Sequence, residues 1–454
     1  MLCSNSVGYC SLESSENGLL KILDDLFSST IPQTIRYLEN DCTYSLTNDM
    51  HRSSAIYTQS VPGLQEVMSL LRILSALCDR HFLRADFESA AEGQQKPDDA
   101  PPASPAKLTP DYRADSNMRS SRLTGSSRYE DRIPNYTNVV KSMYAFAFIW
   151  GFGGQLQERH ISKFNKFCRE TLYRATYPIS LPLSGTVFDY CVEVHHGMMI
   201  KWSDRPMEKM RNLPAHYVIT PEVERYHYLV DLLLSSHYPV LLVGVPGVGK
   251  TALIQNIIQQ KHPFSRLPIS QGVFPQQLHN SVANYMLEIN KRDVLSTHPS
   301  TAPLPKPHHL FFIDDLNMAK SDCVTGTQPS LEVLREVMTQ RSLYDRHRHV
   351  KLDLEGTDFV AACRSPGVAG SGAGESCHIL SSRLTRLFTV MTFFMPTAEG
   401  MHALFGKTIQ SWLEEFPTYS VEHHHEFAYK KKTLFEITAY KPGLFGYRMP
   451  NEND

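Results

Sequence analysis

The chain has 454 residues, enough for two or three domains, and 42% apolar with 20% charged residues is the balance of an ordinary soluble protein with a buried core. A formal net charge of −2, with both signs mixed along the length, excludes a broad cationic surface and so a nucleic-acid partner. Nine cysteines without a CxxC pair, an amino terminus lacking the regions of a secretion signal, and a longest apolar stretch (143–154) about half the length of a bilayer span point to a reducing, intracellular compartment and no membrane.

In chain order, residues 1–88 read as helical. LLKILDDLF is followed by LQEVMSLLRILSALC, in which Leu64, Val67, Met68, Leu71 and Leu74 recur at i, i+3, i+4 spacing. Residues 89–135 change character: QQKPDDAPPASPAK and DSNMRSSRLTGSSRYEDR are the composition of a disordered linker or insertion. Order returns over 136–215. VVKSMYAFAFIWGFGGQLQERHISKFNKFCRETL is long enough for one interrupted helix or two, with Gly151, Gly153 and Gly154 as the expected break. SGTVFDYCVEV then suggests a short strand or hairpin, and the aromatic run YAFAFIW suggests core packing rather than a lipid contact.

The region 216–396 alternates strands and helices. A helix opens with Thr220 as N-cap and Pro221 at its first position. Strands are expected at PVLLVG (239–244), SRLPIS (265–270), HLFFIDD (309–315), TDFVAAC (357–363) and LFTVMTF (387–393). Helices KTALIQNIIQQ, FPQQLHNSVANYMLEINKR and SLEVLREVMTQR fit the first three gaps. The pattern predicts an α/β fold with a mostly parallel five-stranded sheet flanked by helices.

GVPGVGKT, residues Gly244, Val245, Pro246, Gly247, Val248, Gly249, Lys250 and Thr251, fits G-x-x-x-x-G-K-[ST] between an apolar strand and a helix. Glycines let successive amides face phosphate oxygens at a helix N-terminus, Lys250 reaches the β and γ phosphates, and the Thr251 hydroxyl serves Mg. FFIDD adds Asp314 at a strand end as the metal's carboxylate. A strand-turn-helix without a ligand and a strand ending in two exposed carboxylates are the bland alternatives. EHHHE at 422–426 does not converge on one ion, because consecutive helical side chains diverge by about 100°. RHRH at 346–349 reads as a solvated turn, and Cys363 as a small core hydrophobe.

GVPGVGKT with FIDDLNM, QPSLEVLREVM, LYD, FVAAC and SRLTRLF resembles the third AAA+ module of a dynein heavy chain, nearer the axonemal branch. Upstream, YAFAFIWGFGG, GTVFDYCVE and RYHYLVDLLL share the resemblance, and LFSSTIPQTIRYLEN looks like the helical end of the second module. The resemblance implies bound ATP or ADP with Mg held by Thr251 and Asp314, and Asp315 at the catalytic position that most AAA+ ATPases fill with glutamate. It implies that Arg386, with Arg383 as rival, is an arginine finger acting on the preceding module's nucleotide. Val218 and Ile219, within 217–220, would border the adenine. The family's sensor asparagine has no match in ACRSPG, and after LFGKTIQSWLEEFP the resemblance fades into TYSVEHHHEF, so 397–454 is expected to hold the start of a truncated lid and a divergent tail.

The implied function is an ATP-binding module contributing to microtubule-based ciliary or flagellar movement in a full-length protein. Its implied partners are the other AAA+ modules of a ring and, through that protein alone, intermediate and light chains and microtubules, in the cytoplasm, the cytoskeleton and the axoneme. The alternative is a non-hydrolysing structural or assembly protein of the cilium with a degenerate dynein fold. A small-molecule kinase leaves FIDDLNM unexplained. The chain by itself is expected to bind nucleotide with negligible hydrolysis, as a fragment, an isoform or a shortened relative.

Overall fold

The computed structural model describes residues 16–41, 63–83, 136–194, 197–205, 220–261, 263–296, 309–322, 326–345, 349–354, 356–365 and 378–414. The expected linker at 89–135, the EHHHE run, the tail beyond 414, and Val218 and Ile219 lie outside them.

Helices α1 (Glu16–Asp41) and α2 (Leu64–Cys78) precede α3 (Tyr136–Gly153) and α4 (Glu158–Tyr173). The helix break therefore falls after Gly153, and Gly151 and Gly153 lie within α3 rather than interrupting it. Their role is close approach. A Cβ on Gly151 would stand 2.7 Å from the Leu70 backbone of α2, and one on Gly153 would stand 2.5 Å from the Phe164 ring. Gly154 makes the turn, and its carbonyl accepts from Thr392 N at 2.6 Å, joining this helical region to the edge of the central sheet.

The expected hairpin near SGTVFDYCVEV forms from β1 (Tyr190–Glu193) and β2 (Met198–Lys201), an antiparallel pair whose second strand lies downstream of that segment. Next comes α5 (Pro221–Ser235), where Thr220 Oγ1 accepts from Val223 N at 3.3 Å as the N-cap that the sequence predicts. The chain then runs β3 (Val240–Gly244), α6 (Lys250–Lys261), β4 (Phe264–Leu267), α7 (Pro275–Ser296), β5 (His309–Ile313) and α8 (Pro329–Gln340). The hairpin β6 (Ser342–Asp345) and β7 (Val350–Asp353) leads to β8 (Thr357–Arg364), a short turn of helix α9 (Ser382–Thr385), β9 (Thr389–Thr392) and α10 (Ala398–Glu414).

Five strands form one parallel sheet in the order β4-β5-β8-β3-β9. VLLVG and HLFFI are apolar throughout because both faces of the sheet are covered. Alternate residues feed two cores. Val240, Leu242, Phe312 and Val360 pack with α1 to α6, whereas Leu241, Val243, Phe311 and Phe359 pack with α7, α8 and the start of β9. YAFAFIW lies in the first core: the Trp150 ring centroid is 5.1 Å from that of Phe188 and 5.8 Å from that of Tyr226, and the Tyr226 hydroxyl donates to Thr392 O at 2.8 Å. Aromatic pairs of this kind contribute about 0.5–1.5 kcal/mol each beyond the area they bury.

Sequence periodicity missed the β6–β7 hairpin, and the expected solvated turn at RHRH falls largely outside the described residues, which leave out 346–348. The hairpin's strands have four residues each, and the apolar pair that anchors it, Leu343 opposite Leu352, becomes visible only across the register. Strands also end sooner than expected: β4 stops at Leu267, before the proline, and β5 at Ile313, which leaves Asp314 and Asp315 in the following turn.

Candidate functional site

The connection leaving β3 passes toward β4 at one edge, whereas the one leaving β8 crosses to β9 on the other side of β3. Their divergence opens a crevice beyond the carboxyl ends of β3 and β8, the usual ligand position in open parallel sheets. Residues 244–251 occupy that position.

The three loop glycines serve two different needs. Gly244 ends β3 beside β9, and a Cβ there would meet Phe393 O at 2.4 Å, so it is a close-packing glycine. Gly247 and Gly249 have φ of 83° and 101°, values at which an L side chain is strained, and nothing lies within 4 Å of where their Cβ atoms would stand. The loop is thus an open cradle. It ends at the amino terminus of α6, whose first amides have no partner within the helix. Val245, Pro246 and Gly247 are exposed, and Val248 is buried.

Lys250 is 9% exposed, and its ammonium donates to the carbonyls of Gly244 at 2.9 Å and Val245 at 2.8 Å. Burial lowers its pKa from the ordinary lysine value, against the pull of Cys363, Asp315 and Asp314. The cation is therefore held at the loop with no directly paired acid among the described residues, a state that an arriving anion relieves. Thr251 Oγ1 lies 3.2 Å from both carboxylate oxygens of Asp314. A hydroxyl beside a carboxylate is a hard oxygen donor set, and it suits Mg. Among the described residues no group of three or more His, Cys, Asp or Glu side chains could hold a metal by itself.

Asp315 follows at φ 52° and ψ 45°, a left-handed conformation that Asp tolerates better than most residues, and it is exposed. Its amide donates to Asp314 Oδ1 at 3.2 Å, so the turn orients the Asp314 carboxylate, while Asp315 itself is exposed. Arg386 lies elsewhere. It precedes Thr389, which pairs with Val240 at the amino end of β3, so the exposed Arg386 and Arg383 stand at the end of the sheet opposite the loop. There the Arg72 guanidinium of α2 donates to the Arg386 carbonyl at 3.1 Å.

Two residues of this neighbourhood carry no role in the sequence reading. Asn317 is 1% exposed, and its side chain donates to Arg364 O at 2.7 Å and accepts from Arg364 N at 3.3 Å, tying the turn after β5 to the end of β8. Arg266 donates from Nη2 to Asp314 Oδ2 at 2.9 Å. A lone arginine on a short strand one position from the acidic strand was the signal available for it, but the strand order was needed to use it. Cys363 is fully buried, in keeping with its reading as a core residue. No helix of the described residues is long and apolar enough to cross a membrane.

Comparison with known proteins agrees with this geometry. Residues 206–396 match the family model described as the P-loop containing dynein motor region, and residues 118–204 match the dynein heavy chain AAA lid domain. The matched lid thus precedes the phosphate loop and covers much of the stretch that the sequence reading took as a lead into the module. The human protein "Dynein heavy chain domain-containing protein 1" is 30% identical over 414 residues, 89% of this chain and 8% of the relative. Human "Dynein axonemal heavy chain 2" is 28% identical over 290 residues, 62% of this chain and 6% of the relative. "Dynein alpha chain, flagellar outer arm" of Chlamydomonas reinhardtii is 27% identical over 288 residues, 61% of this chain and again 6% of the relative. The chain therefore spans under a tenth of the length of these relatives. An open phosphate-type loop on a five-stranded parallel sheet, the two matching domains and these similarities lead to one conclusion: this chain belongs to the dynein heavy chain family, as an AAA+ module preceded by a lid domain.

Proposed function

We propose that the chain binds ATP or ADP with Mg at residues 244–251 and Asp314, as the nucleotide module of a dynein heavy chain-like protein. The observation that carries this reading is the Thr251–Asp314 pair beneath an open glycine cradle, with the Lys250 ammonium held beside it. Bound there, Mg supplies positive charge against the phosphates, with Thr251 and Asp314 to hold it. Val218 and Ile219 are proposed to border the adenine. In a full-length protein the module would contribute to microtubule-based movement of a cilium or flagellum, at the axoneme, among other ring modules and with intermediate and light chains.

Turnover by this chain alone is proposed to be negligible. Asp315 is one methylene shorter than the glutamate of most AAA+ ATPases and faces solvent, and Arg386 lies at the far end of the sheet, where it would act on a neighbouring module. These observations also favour a second reading, a non-hydrolysing structural or assembly protein of the cilium. Calorimetry of MgADP binding to the full chain tests the proposal: the parent should bind, and Lys250→Ala should lose most of its affinity. A Lys250→Ala variant that binds as tightly as the parent would mean that the site lies elsewhere.

A further inference from the structure

Arg266 lies on β4 in parallel register with Phe312, two residues before Asp314. Its guanidinium sits 5.6 Å from the Phe312 ring centroid, and Nη2 donates to Asp314 Oδ2 at 2.9 Å. Asp314 is the carboxylate beside the Thr251 hydroxyl, so a cation of this chain already stands where the oxygen donors would hold a divalent ion. The two partners differ in exposure: the Asp314 side chain is 13% exposed and the Arg266 side chain 56%. One end of the ion pair is thus anchored in the site, while much of the guanidinium stays open to solvent. Arginine keeps its charge at every working pH and has five N–H donors, of which Asp314 takes one. The remaining planar donors match phosphate oxygens in pairs, a geometry that a lysine at this position could not reproduce.

We propose that Arg266 stands in for the divalent cation when Mg is absent, bridging the nucleotide's phosphates to Asp314 and giving way to Mg when it binds, so that this chain retains nucleotide with or without Mg. The inference rests on the reading of residues 244–251 as a nucleotide site. It follows from charge: a divalent ion at the Asp314 carboxylate would have to displace the guanidinium or share one anion with it, and like charges at such separations repel strongly. Phosphate binding then needs no metal, because a monovalent resident and the Lys250 ammonium already supply two positive charges.

The test is calorimetric titration of ADP into the full 454-residue chain, once in EDTA and once in excess Mg. The parent is expected to bind with similar affinity in both buffers. Arg266→Gln should lose the worth of a charge-assisted hydrogen bond in EDTA, roughly ten- to a hundredfold, and recover much of it in Mg. An Arg266→Gln affinity in EDTA equal to the parent's overturns the proposal. So does a parent that binds only in Mg, which leaves the nucleotide site itself intact; absence of parent binding in both buffers removes the site and this inference together. The parent comparison needs no variant, and the exposure of Arg266 makes Arg266→Gln a surface change whose thermal midpoint should match the parent's.

Discussion

Replacing Lys250 with methionine should uncouple stability from ligand binding. Lys250 is 9% exposed and its ammonium is bonded to two carbonyls, with no acid in direct contact among the described residues, and burial lowers its pKa. Each charged hydrogen bond contributes about 1.5–3 kcal/mol, while desolvating the ion costs several kcal/mol, so the two nearly cancel. Methionine keeps the aliphatic length and removes the charge. Gly244 O still accepts from Ser365 N at 3.3 Å, and Val245 is exposed, so water can reach its carbonyl. We expect the ligand-free midpoint of Lys250→Met to equal the parent's or exceed it by up to about 1 kcal/mol, roughly 2–4 °C for a domain of this size. With ADP at a hundred times its Kd, the parent should gain about 2.7 kcal/mol and the variant nothing. The pH dependence has a definite sign. A lysine whose folded pKa lies below its unfolded value of 10.5 binds fewer protons in the folded state between those two values, so parent stability should rise with pH through that window, and Lys250→Met should lack the rise. Differential scanning fluorimetry with and without ADP reads both effects. A ligand-free variant more than about 1 kcal/mol below the parent would show that the ammonium is structural, and a preserved ADP shift would refute the site.

The other expectations follow from single contacts. Gly244→Ala should destabilise by about 1–3 kcal/mol or more in urea unfolding, because its Cβ meets the Phe393 backbone, whereas Gly247→Ala costs only left-handed strain of about 1–2 kcal/mol and should weaken ADP binding; the opposite ranking contradicts the two glycine roles. Asn317→Ala leaves both backbone groups of Arg364 without their side-chain partner and should cost about 1–3 kcal/mol; a value near zero in the same assay would mean that they find other partners. The His237 imidazole lies 2.9 Å from Asp358 Oδ2; that hydrogen bond raises its pKa above 6.5 against burial and Arg341, so the link stabilises the fold below pH 6.5 and fades as pH rises through the folded value. With His237 half exposed the amplitude should stay under about 1 kcal/mol, and Asp358→Asn should abolish this pH dependence. Phosphate release by the full chain should sit at background and be unchanged by Asp315→Asn, since a missing arginine finger alone removes about 10³–10⁵ in rate; turnover that Asp315→Asn abolishes would make the chain an enzyme in its own right.

The sequence by itself determined whatever depends on neighbours along the chain. Thr220 capping α5, the glycine and lysine spacing of 244–251 and the apolar runs VLLVG and HLFFI are local patterns whose physics acts within a turn or a strand, and each stands in the structure where it was expected. What only the tertiary structure decided is which distant residues meet. Gly151 was legible as a helix breaker and is in fact the place where α2 presses on α3, because helix propensity is small beside the packing gained at such a crossing. Leu343 and Leu352 make a hairpin of two strands too short to show a period. Arg266 reaches Asp314 across 48 residues, because the sheet order sets β4 beside β5. Strand order is chosen by the burial of two apolar faces at once, a global condition on the whole sheet that no window of sequence contains.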